Sequence, residues 1–585
     1  MSAVPSQPSQ PSKPSKGSAN SKAGVAPASG PTRTYRLLGL SLELDEPEAG
    51  LRARACGKLG IAPEELRGFR LARKSLDARR RGRRSGTGSG GHLRFVVHAD
   101  LVLPSDFKSA RLARLLRQGK VREAPAVGSL EPTRVHNSIA APGKRAARAV
   151  VVGSGPAGIF AALVLVRGGF EVTVLERGAP LRERAARLAR FHKTRVADTE
   201  SNVLFGEGGA GTYSDGKLYT RVDDPLEVPI LEELVRWGAP PEILYDSRAH
   251  IGTDRLHKLL PRLRGDLQER GVKFCFNTRL EGLCLDGAAD NRQRSLRAVR
   301  TSAGELPLDV LFLAPGSSAR DTWEMLHAAG VSFEARPFQL GSRVEHPQEL
   351  VNRGRYGGDG TVCELLGAAS YNLVSRPGAD GGACHSFCMC PGGRIVASVN
   401  EPGRLCTNGM SNSRHSSPYA NAALVVTVGP ETFGPGPFAG VALQRELEEA
   451  AFAAGGGDYT APAQGVADFL AGRASRSCRP TSYGFGVRPG RIDELLPEQA
   501  RRALARGLVR FENSIPGFGG AEGLLVGLET RSACPVMMPR DRLSGRAVGF
   551  ANIYPVGEGA GFAGGIMSSA LDGARIASGL LVAGL

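Results

Sequence analysis

Alternating apolar and polar residues mark the first part of the chain after a polar N-terminal stretch. Apolar residues recur at every second position, as on the buried face of a strand, or at every third and fourth position, as on a helix. The first spacing predicts strands near residues 40–44, 69–78 and 93–101, and the second predicts helices over residues 47–59 and 106–120. Together they indicate a small α+β domain.

A second pattern, over residues 148–178, predicts a β-α-β unit. A short apolar strand, 149–152, runs into the sequence GSGPAG, which has the form G-x-G-x-x-G. A helix then extends to Arg167, and a second apolar strand, 171–175, ends at Glu176. This order of strand, glycine turn, helix, strand and acid is typical of a dinucleotide-binding unit.

Each part of this unit has a physical role. Gly153 permits the tight turn, Gly155 lets the backbone approach a pyrophosphate, and Gly158 allows close packing of the helix on the strand. The helix N-terminus offers free N–H groups to the phosphates, and Glu176 can accept hydrogen bonds from ribose hydroxyls. We therefore assign these residues to cofactor binding: Gly153, Gly155, Pro156, Ala157, Gly158, Glu176 and Arg177.

Two later segments favour FAD over NAD. Residues 306–316 predict a buried strand that ends at Gly316, and residues 554–577 end a strand in glycines and open a long helix near Gly564. The start of that helix can direct N–H groups toward the part of a flavin where reduction builds negative charge. We predict FAD, with further contacts from Gly316, Gly557, Glu558, Gly564, Gly565 and Ile566.

The glycine-rich sequence FGEGGAGTYSDGKLYT, residues 205–220, has two interpretations. It is either a flexible surface loop or a backbone that lies against the cofactor, and its position after the Glu176 strand favours the second. Gly208, Gly209 and Gly211 are then cofactor-binding residues. Asp215 and Lys217 are candidate catalytic residues, and the alternative for this pair is an exposed ion pair.

These motifs, and several longer strings, resemble the bacterial family of FAD-dependent dehydrogenases (NAD(P)/FAD-dependent oxidoreductases) in the glutathione-reductase-like flavoprotein superfamily. The resemblance runs from Thr34 to the C-terminus and implies an FAD cofactor and oxidoreductase activity. Two segments depart from the family pattern: residues 529–541, and the continuation after NGMSN that includes Arg414 and His415. The matching strings are RKSLDAR, GSGPAG, ESNVLFGEGGAGTYSDGKLYT, HIGTDRL, VEHPQEL, SFCMCPGG, NGMSN, APAQGVADFLAGR and YPVGEGAGFAGGI.

The predicted fold class is α/β. It combines a Rossmann-like FAD-binding domain, an inserted α+β cap or substrate domain, and a small N-terminal α+β domain. We expect a disordered tail at 1–33, the small basic domain at 34–125, a linker at 126–145, the FAD-binding domain at 146–330 and 546–585, and the cap at 331–545.

Candidate chemistry in the cap centres on Cys388 and Cys390. They are a candidate redox pair or thiols poised at the flavin, and the alternative is that they are small buried apolar side chains. A structural role is favoured for His346 because it precedes a proline, which favours an extended or turn position. Other polar residues that could hold a substrate are Arg343, Glu345, Asn408 and Asn412.

The source of electrons stays open at this point. Residues 517–523 are glycine-rich but follow no strand pattern, so the sequence predicts no second dinucleotide-binding unit of its own for NAD(P)H. The electron donor or acceptor is then a substrate, NAD(P)H bound transiently, or a protein. We expect the substrate to be a small or medium organic molecule.

The net charge of +18 is concentrated in residues 1–150, which hold 28 Lys and Arg against 11 Asp and Glu. This asymmetry gives an alternative function, an RNA-associated flavoprotein whose basic N-terminal domain binds RNA. A solvated hairpin tip is the favoured interpretation, since no aromatic residues interleave with the arginines to stack on bases. The arginines concerned are Arg79, Arg80, Arg81, Arg83 and Arg84.

Cysteine content and the N-terminus indicate location. Ten cysteines in 585 residues are too few for a disulfide scaffold, which indicates a cytoplasmic protein with reduced thiols. Their C-x3-C-x-C cluster lacks the paired spacing of common zinc sites, so we predict no metal.

The acid-free, Ser-rich residues 1–33 predict a disordered tail, with a plastid transit peptide as the alternative. No apolar run reaches the roughly 18 residues of a membrane-spanning helix.

Overall fold

The computed structural model describes residues 31–77, 93–132, 145–220, 222–286, 293–357, 360–378 and 382–583. The predictions for residues 1–30 and for the five arginines at 79–84 lie outside these ranges. The first described elements are β1 Thr32–Leu42, α1 Leu51–Leu59, β2 Gly68–Asp77, β3 Arg94–Pro104, α2 Ala110–Arg117 and β4 Val121–Glu123.

These strands form an antiparallel sheet in the order β2-β3-β1-β4. Leu40 and Leu42 are buried against α1 and α2, as the alternation predicts. Leu44 was predicted to share their face, but it lies beyond the end of β1. The strand also starts at Thr32, earlier than expected, because Thr32 pairs with Pro104 at the end of β3.

The next part of the chain holds a parallel sheet and a small antiparallel one. Its elements are β5 Arg148–Val152, α3 Pro156–Arg167, β6 Glu171–Leu175, α4 Leu181–Thr194, α5 Glu227–Arg236, α6 Thr253–Glu269, β7 Lys273–Cys275, β8 Leu280–Leu285, β9 Leu296–Thr301, β10 Gly304–Pro307, β11 Val310–Leu313 and α7 Arg320–Ala328.

Most of the remaining elements form a larger sheet and its helices. The last strand, Ile553–Pro555, returns to the parallel sheet. The remaining elements are β12 Glu334–Ala335, β13 Phe338–Pro347, α8 Gln348–Tyr356, α9 Gly360–Leu366, β14 Val374–Ser375, β15 Cys384–Cys390, β16 Arg394–Ser398, β17 Cys406–Met410, β18 Tyr419–Val428, α10 Pro430–Phe433, α11 Ala439–Gly455, β19 Ala461–Gly465, α12 Val466–Leu470, β20 Val487–Pro489, α13 Ile492–Leu495, α14 Glu498–Phe511, β21 Leu524–Glu529, β22 Val536–Met537, β23 Ile553–Pro555 and α15 Ile566–Ala583.

The parallel sheet has the order β23-β11-β5-β6-β7, so β5 lies between β6 and the later strand β11. Ligands of open parallel sheets bind beyond the carboxyl ends of the strands, where the strand order reverses. The GSGPAG turn follows β5 directly and therefore lies at this place. The strand predicted over residues 306–316 is divided, because Gly304–Pro307 pairs with β9 whereas β11 joins the parallel sheet.

The larger sheet, which we call the cap sheet, has the order β14-β15-β18-β13-β21-β19-β20. Its described pairs are antiparallel except for β19 with β20. Leu340 and Val344 of β13 and Leu424 and Val426 of β18 are fully buried in its core. The alternation of polar residues along β13 leaves Arg343 and Glu345 facing the other way, and both are also buried.

Helix α15 packs in the core of the parallel sheet. Among the described helices, α15 alone is long and apolar enough by composition to cross a membrane, and 56% of that stretch is buried. A Cβ atom on Gly573 would lie 2.1 Å from the carbonyl oxygen of Ala157, so α15 and α3 approach each other closely. This burial accounts for the apolar composition of α15.

A buried ion network joins the two larger parts of the molecule. Arg320, the first residue of α7, donates to Glu448 of α11 at 2.9 Å and to Glu401 at 2.7 Å. Arg531, which follows β21, donates to the same Glu448 carboxylate at 2.7 and 2.8 Å. The side chain of Glu448 is fully buried between the two guanidinium groups, so a carboxylate with no access to water joins the two parts.

The N-terminal sheet contacts the parallel-sheet unit through β2. The backbone N–H of Lys74 donates to the carbonyl oxygen of Tyr245 at 2.6 Å, and the N–H of Ser247 donates back to Lys74 at 2.9 Å. The hydroxyl of Tyr245 also donates to Glu48 at 3.0 Å. Strand β2 therefore supports the segment that leads to His250.

Candidate active site

The GSGPAG turn has the close packing that its sequence predicts. Gly153 has φ +102°, and a Cβ atom there would lie 2.2 Å from the carbonyl oxygen of Ala314 at the end of β11. A Cβ atom on Gly158 would lie 2.0 Å from the carbonyl oxygen of Gly153. In contrast, the space in front of Gly155 is open within 4 Å. The turn is thus tight on its inner side and leaves its outer side open for a ligand.

Three segments that are distant in sequence meet at one cavity of about 50 Å³ beside this turn. The lining residues that the sequence assigned to cofactor binding are Gly155 and Pro156 from the turn, Gly208 and Gly211 from the glycine-rich segment, and Ile566 from the start of α15. The rest of the wall is mainly apolar side chains of α3 and α6. Tertiary structure therefore brings these five predicted residues together.

Glu176 links the turn to the glycine-rich segment. One carboxylate oxygen accepts from the N–H and hydroxyl of Ser154 at 3.1 and 2.7 Å. The other oxygen accepts from the N–H groups of Gly178 and Gly206 at 2.9 and 3.0 Å. Its predicted role at the ribose stays a prediction, and the structure adds a second role in holding two loops against each other.

Arg177, which the sequence also assigned to the cofactor, forms ion pairs. Its guanidinium group donates to Glu200 at 2.9 Å and to Asp321 at 2.8 Å, and it lies over the ring of Phe205. These contacts connect β6 to the start of α7. They leave this side chain engaged with protein partners instead of facing the cavity wall.

Arg184 of α4 is a residue that the sequence reasoning missed. It is fully buried and donates to the carbonyl oxygens of Asn202, Glu207 and Gly209 at 2.7–3.0 Å. Burial lowers the pKa of this guanidinium to about 10. Its Nη2 atom has no hydrogen-bond partner among the described residues. An arginine with a spare donor beside the Gly208–Gly209 turn suits an anionic ligand such as a diphosphate.

The C-terminal predicted contacts lie beyond the end of β23. Gly559 packs against Gly316, where an added Cβ atom would lie 2.4 Å from the Gly316 carbonyl oxygen. Between these glycines, burial raises the pKa of the Glu558 carboxyl to about 7. Gly564 and Gly565 are exposed just before α15, and no protein atom would crowd a Cβ atom on Gly564.

Asp215 and Lys217 belong to a polar cluster rather than an exposed pair. Lys217 Nζ donates to one oxygen of Asp215 at 2.5 Å, and the hydroxyl of Ser411 donates to the other. Both side chains are mostly buried, with Lys217 19% and Asp215 3% exposed. Burial opposes the charge on each, but the attraction between them lowers the pKa of Asp215 and contributes to raising the pKa of Lys217.

Two histidines complete this polar cluster. His415 Nε2 lies 3.8 Å from Asp215, and the rings of His415 and His250 are stacked with centroids 4.5 Å apart. His415 has φ +50°, a conformation that non-glycine residues seldom adopt and that is often found at functional sites. Its Nε2 atom has no hydrogen-bond partner in the described part of the chain. The cluster thus holds the imidazole of His415, whose Nε2 atom makes no hydrogen bond to another described residue.

Asp215, His250 and His415 place one ligand atom each within 4.8 Å of one another, a grouping that could also hold a metal ion. Both oxygens of Asp215 already accept hydrogen bonds, one of them from the Lys217 ammonium group. A cation would have to compete with that positive charge.

The two predicted cysteines lie on the other side of Lys217. The Sγ atom of Cys390 is 4.0 Å from Lys217 Nζ. Cys388 is also near enough to contribute to raising the pKa of Lys217. Arg343 donates to the backbone oxygen of Cys388 at 3.0 Å and to Asn408 at 2.9 Å. All four predicted catalytic residues, Asp215, Lys217, Cys388 and Cys390, therefore meet at one place between the parallel sheet and the cap sheet.

Other polar residues of the cap are engaged elsewhere. His346 is fully buried, with Nε2 paired to the carbonyl oxygen of Phe518 at 2.9 Å. Glu345 accepts from the N–H group and hydroxyl of Ser482 and pairs with Arg479. Asn412 caps its own turn through Arg414 and Ser416. The side-chain contacts of His346 and Glu345 do not reach the polar cluster, whereas the backbone oxygen of Asn412 accepts from the N–H group of His415 at 3.1 Å.

Of the three residues that were not predicted from the sequence, His250, His415 and Arg184, only one had a signal in the sequence. His250 stands in the string HIGTDRL, which follows the glycine-rich segment, and an isolated bridge pairs it with Lys217. His415 lies in the segment that departs from the family pattern, so nothing in the sequence pointed to it. Arg184 is one of many arginines in an amphipathic helix, where only its burial distinguishes it.

Comparison with protein families gives two matches. Residues 337–532 match the family described as FAD-dependent protein, C-terminal domain-like, and residues 35–83 match a domain family of unknown function. A protein of Clostridium beijerinckii, described as an uncharacterized protein, is 38% identical over 546 residues, which cover 93% of this chain and 97% of that protein. Similarity therefore extends over almost the whole length of both chains.

Comparison with solved structures gives distant similarity. An L-amino acid deaminase from Proteus vulgaris aligns over 78% of this chain and 97% of its own, with 13% identity and a TM-score of 0.31. An L-proline dehydrogenase from P. horikoshii aligns over 75% and 93%, with 13% identity and a TM-score of 0.29. A glycine oxidase from Bacillus cereus aligns over 75% and 97%, with 11% identity and a TM-score of 0.30.

Proposed function

We propose, since the chain belongs to the same protein family as the Clostridium beijerinckii protein, that it is an FAD-dependent oxidoreductase acting as a dehydrogenase on a small organic substrate. FAD is the cofactor, in agreement with the description of the family that matches residues 337–532. The substrate site that we propose is the polar cluster of Asp215, Lys217, His250 and His415.

The convergence of three segments on one cavity carries this proposal. The turn after β5, the glycine-rich segment and the start of α15 are separated by up to several hundred residues, yet all line the same space. A dinucleotide that follows the turn, the glycine-rich segment and the start of α15 would extend well beyond this cavity of about 50 Å³. The surrounding chemistry fits, since Arg184 donates to Gly209 next to the lining residue Gly208 and the leucines of α6 offer apolar contact.

The residues that would hold FAD follow from this arrangement. Glu176 would accept from the ribose, the N-terminus of α3 and Arg184 would hold the diphosphate, and the N-terminus of α15 would lie at the ring. When bound, FAD supplies hydride or electron transfer, and the protein supplies binding, orientation and electrostatics.

The polar cluster would manage the protons of the reaction. We assign to His415 the acceptance of a substrate proton, because its Nε2 atom lies 3.8 Å from Asp215, whose carboxylate would stabilise the resulting imidazolium. Asp215 stays ionised beside Lys217. Lys217 would therefore position the Asp215 carboxylate, which in turn supports His415 as the base.

The test combines a spectrum with substrate mixing. The purified protein should show the visible absorption bands of bound flavin, and anaerobic mixing with NADH, NADPH or a panel of reduced metabolites should bleach them with at least one donor. His415→Ala should keep the bands and slow bleaching by about 10²-fold or more, as loss of an acid-base group does. Absence of flavin bands even after reconstitution with FAD would contradict the proposal.

A further inference from the structure

Strand β15 is interrupted at its two last cysteines. Its pairing with β18 breaks register between Phe387 and Cys390, and Cys388 in this bulge has φ +42°. In a regular strand, residues two apart are separated by about 6.4–6.8 Å, near the upper limit for a disulfide. Here Cys388 adopts a left-handed backbone conformation, and Cys390 Sγ donates to the carbonyl oxygen of Cys388 at 3.3 Å.

Arg343 holds this bulge in place. Its fully buried guanidinium group donates to the Cys388 carbonyl oxygen at 3.0 Å, to Asn421 and Asn408 at 2.9 Å, and to Glu529 at 2.8 Å. A left-handed conformation at a non-glycine residue is costly and persists only where its surroundings fix it. Four hydrogen bonds from one buried side chain supply that constraint.

The two thiols differ in exposure and in charge environment. Cys388 is partly exposed, whereas Cys390 is fully buried. The adjacent Cys390 thiol, together with the nearby Lys217 and Arg343 cations, lowers the pKa of Cys388, while the adjacent Cys388 thiol and burial raise the pKa of Cys390. The accessible sulfur is thus the better nucleophile, and the buried sulfur is kept protonated beside it.

We infer that Cys388 and Cys390 form a redox-active dithiol that reduces small disulfide substrates, with Cys388 as the attacking thiolate and Cys390 as the resolving thiol. Cys388 attacks one sulfur of R–S–S–R, forming a mixed disulfide and releasing the first R–S⁻. Cys390 then loses its proton and attacks Cys388 Sγ, forming the Cys388–Cys390 disulfide and releasing the second R–S⁻. Two electrons pass from the dithiol to the substrate, and both thiolates take up protons.

This inference goes beyond the proposed function and does not rest on it. It depends on β15, on Arg343 and on Lys217, which it shares with the proposed substrate site, and not on the cavity beside the GSGPAG turn. Its test can therefore be run on the protein with or without FAD, and the same result is expected in both forms.

The experiment follows sulfur stoichiometry. The full chain is reduced with dithiothreitol, desalted without oxygen and mixed with 2-hydroxyethyl disulfide. We expect the peptide that contains Cys388 and Cys390 to lose two hydrogen atoms by mass spectrometry while two equivalents of 2-mercaptoethanol appear. Oxidation there should be about ten-fold faster than adduct formation at Cys284, which is a partly exposed thiol of β8 in the same protein.

Three variants separate the steps. Cys390→Ser should stop at a stable mixed disulfide on Cys388 with one equivalent released, and Cys388→Ser should remove the fast reaction. Cys284→Ser is the matched control and should behave as the wild type. A lasting adduct on Cys388 in the wild type, or no faster reaction there than at Cys284, would overturn the inference. The wild-type result alone decides between these outcomes, so it stands even if a variant does not fold.

Discussion

Glu176 shows at the residue scale how one side chain can serve both the fold and a ligand. Its position at the end of β6 made it a candidate for ribose binding from sequence alone. In the structure both oxygens already accept two hydrogen bonds each, from Ser154, Gly178 and Gly206. Removing the carboxylate therefore disturbs the loops as well as the cofactor.

We predict that Glu176→Ala lowers FAD affinity on the order of ten-fold and also destabilises the FAD-free protein. The N–H groups of Ser154, Gly178 and Gly206 would lose their buried acceptor, which costs about 1–3 kcal/mol for each unsatisfied group. Affinity is measured by flavin fluorescence titration and stability by the Tm of the FAD-free protein. An unchanged Tm in the FAD-free form would show that the loops do not depend on this carboxylate.

Glu558 carries a pH-dependent prediction at the same scale. Its carboxyl has an ordinary pKa of 4.5 in the unfolded chain, and burial raises the pKa to about 7 in the folded protein. Between these two values the folded state binds more protons, so this group costs stability as the pH rises from about 4.5 to 7. The cost is absent below this window and complete above it.

Glu558→Gln should therefore stabilise the FAD-free protein at pH 8 and have less effect at pH 5. We expect the Tm difference between the variant and the wild type to be larger at pH 8 by roughly 2 °C or more. Differential scanning fluorimetry at both pH values measures it. Equal differences at the two pH values would mean that this carboxyl does not titrate between them.

At the element scale, the glycine-rich segment is held by a residue of the neighbouring helix α4 in addition to Glu176 and its own internal hydrogen bonds. Arg184 of α4 donates to the carbonyl oxygens of Asn202, Glu207 and Gly209, and its guanidinium group lies 4.8 Å from the ring of Tyr213. Glycines give this segment the freedom to fold tightly, and Arg184 selects one of the conformations that they permit.

Replacing Arg184 with leucine should loosen the segment while α4 itself remains. The three carbonyl oxygens would lose a charged donor, and each such bond contributes about 1.5–3 kcal/mol. We expect faster hydrogen exchange over residues 205–216 and at least ten-fold weaker FAD binding. Arg182→Leu, at an exposed position of the same helix, is the control and should change neither quantity. Unaltered exchange in Arg184→Leu would refute this role.

At the scale of the whole molecule, charge joins the parallel sheet to the cap sheet. Glu448 is buried between Arg320 and Arg531, which come from α7 and from the segment after β21. Burial opposes its ionisation, but the two arginines hold its pKa well below the usual range. An intact network of this kind need not add stability, but one that loses a single partner leaves charge buried without compensation.

Glu448→Ala should for this reason be strongly destabilising, by about 3–5 kcal/mol. Glu449→Ala is the matched control, since its side chain is 56% exposed and pairs with Arg404 on the surface, where such pairs contribute about 0–1 kcal/mol. The thermal unfolding curve of each variant measures the effect. Equal Tm values for the two variants would show that this network does not hold the units together.

Much of the fold could be predicted because its signals are local. The limits of α3 and β6 and the turn between β5 and α3 follow from apolar spacing and glycines within some thirty residues, and the structure agrees with them. The division of residues 306–316 between β10 and β11 was not predicted. It depends on β9 and β5, strands that the local pattern does not identify as partners.

The sequence by itself determined the β-α-β unit and its glycine turn, since these rest on short-range spacing and on steric needs that only glycine meets. FAD was indicated by segments far apart in the chain and by the family resemblance. Only the tertiary structure decided what surrounds Asp215. Ser411 hydrogen-bonds to it across 196 residues of sequence, and His250, His415 and the two cysteines join it from other elements. The reason is that burial and charge pairing depend on which strands and loops pack together. The packing depends on the summed core contacts of two sheets, and the sequence spacing of Asp215 and its neighbours does not reveal it.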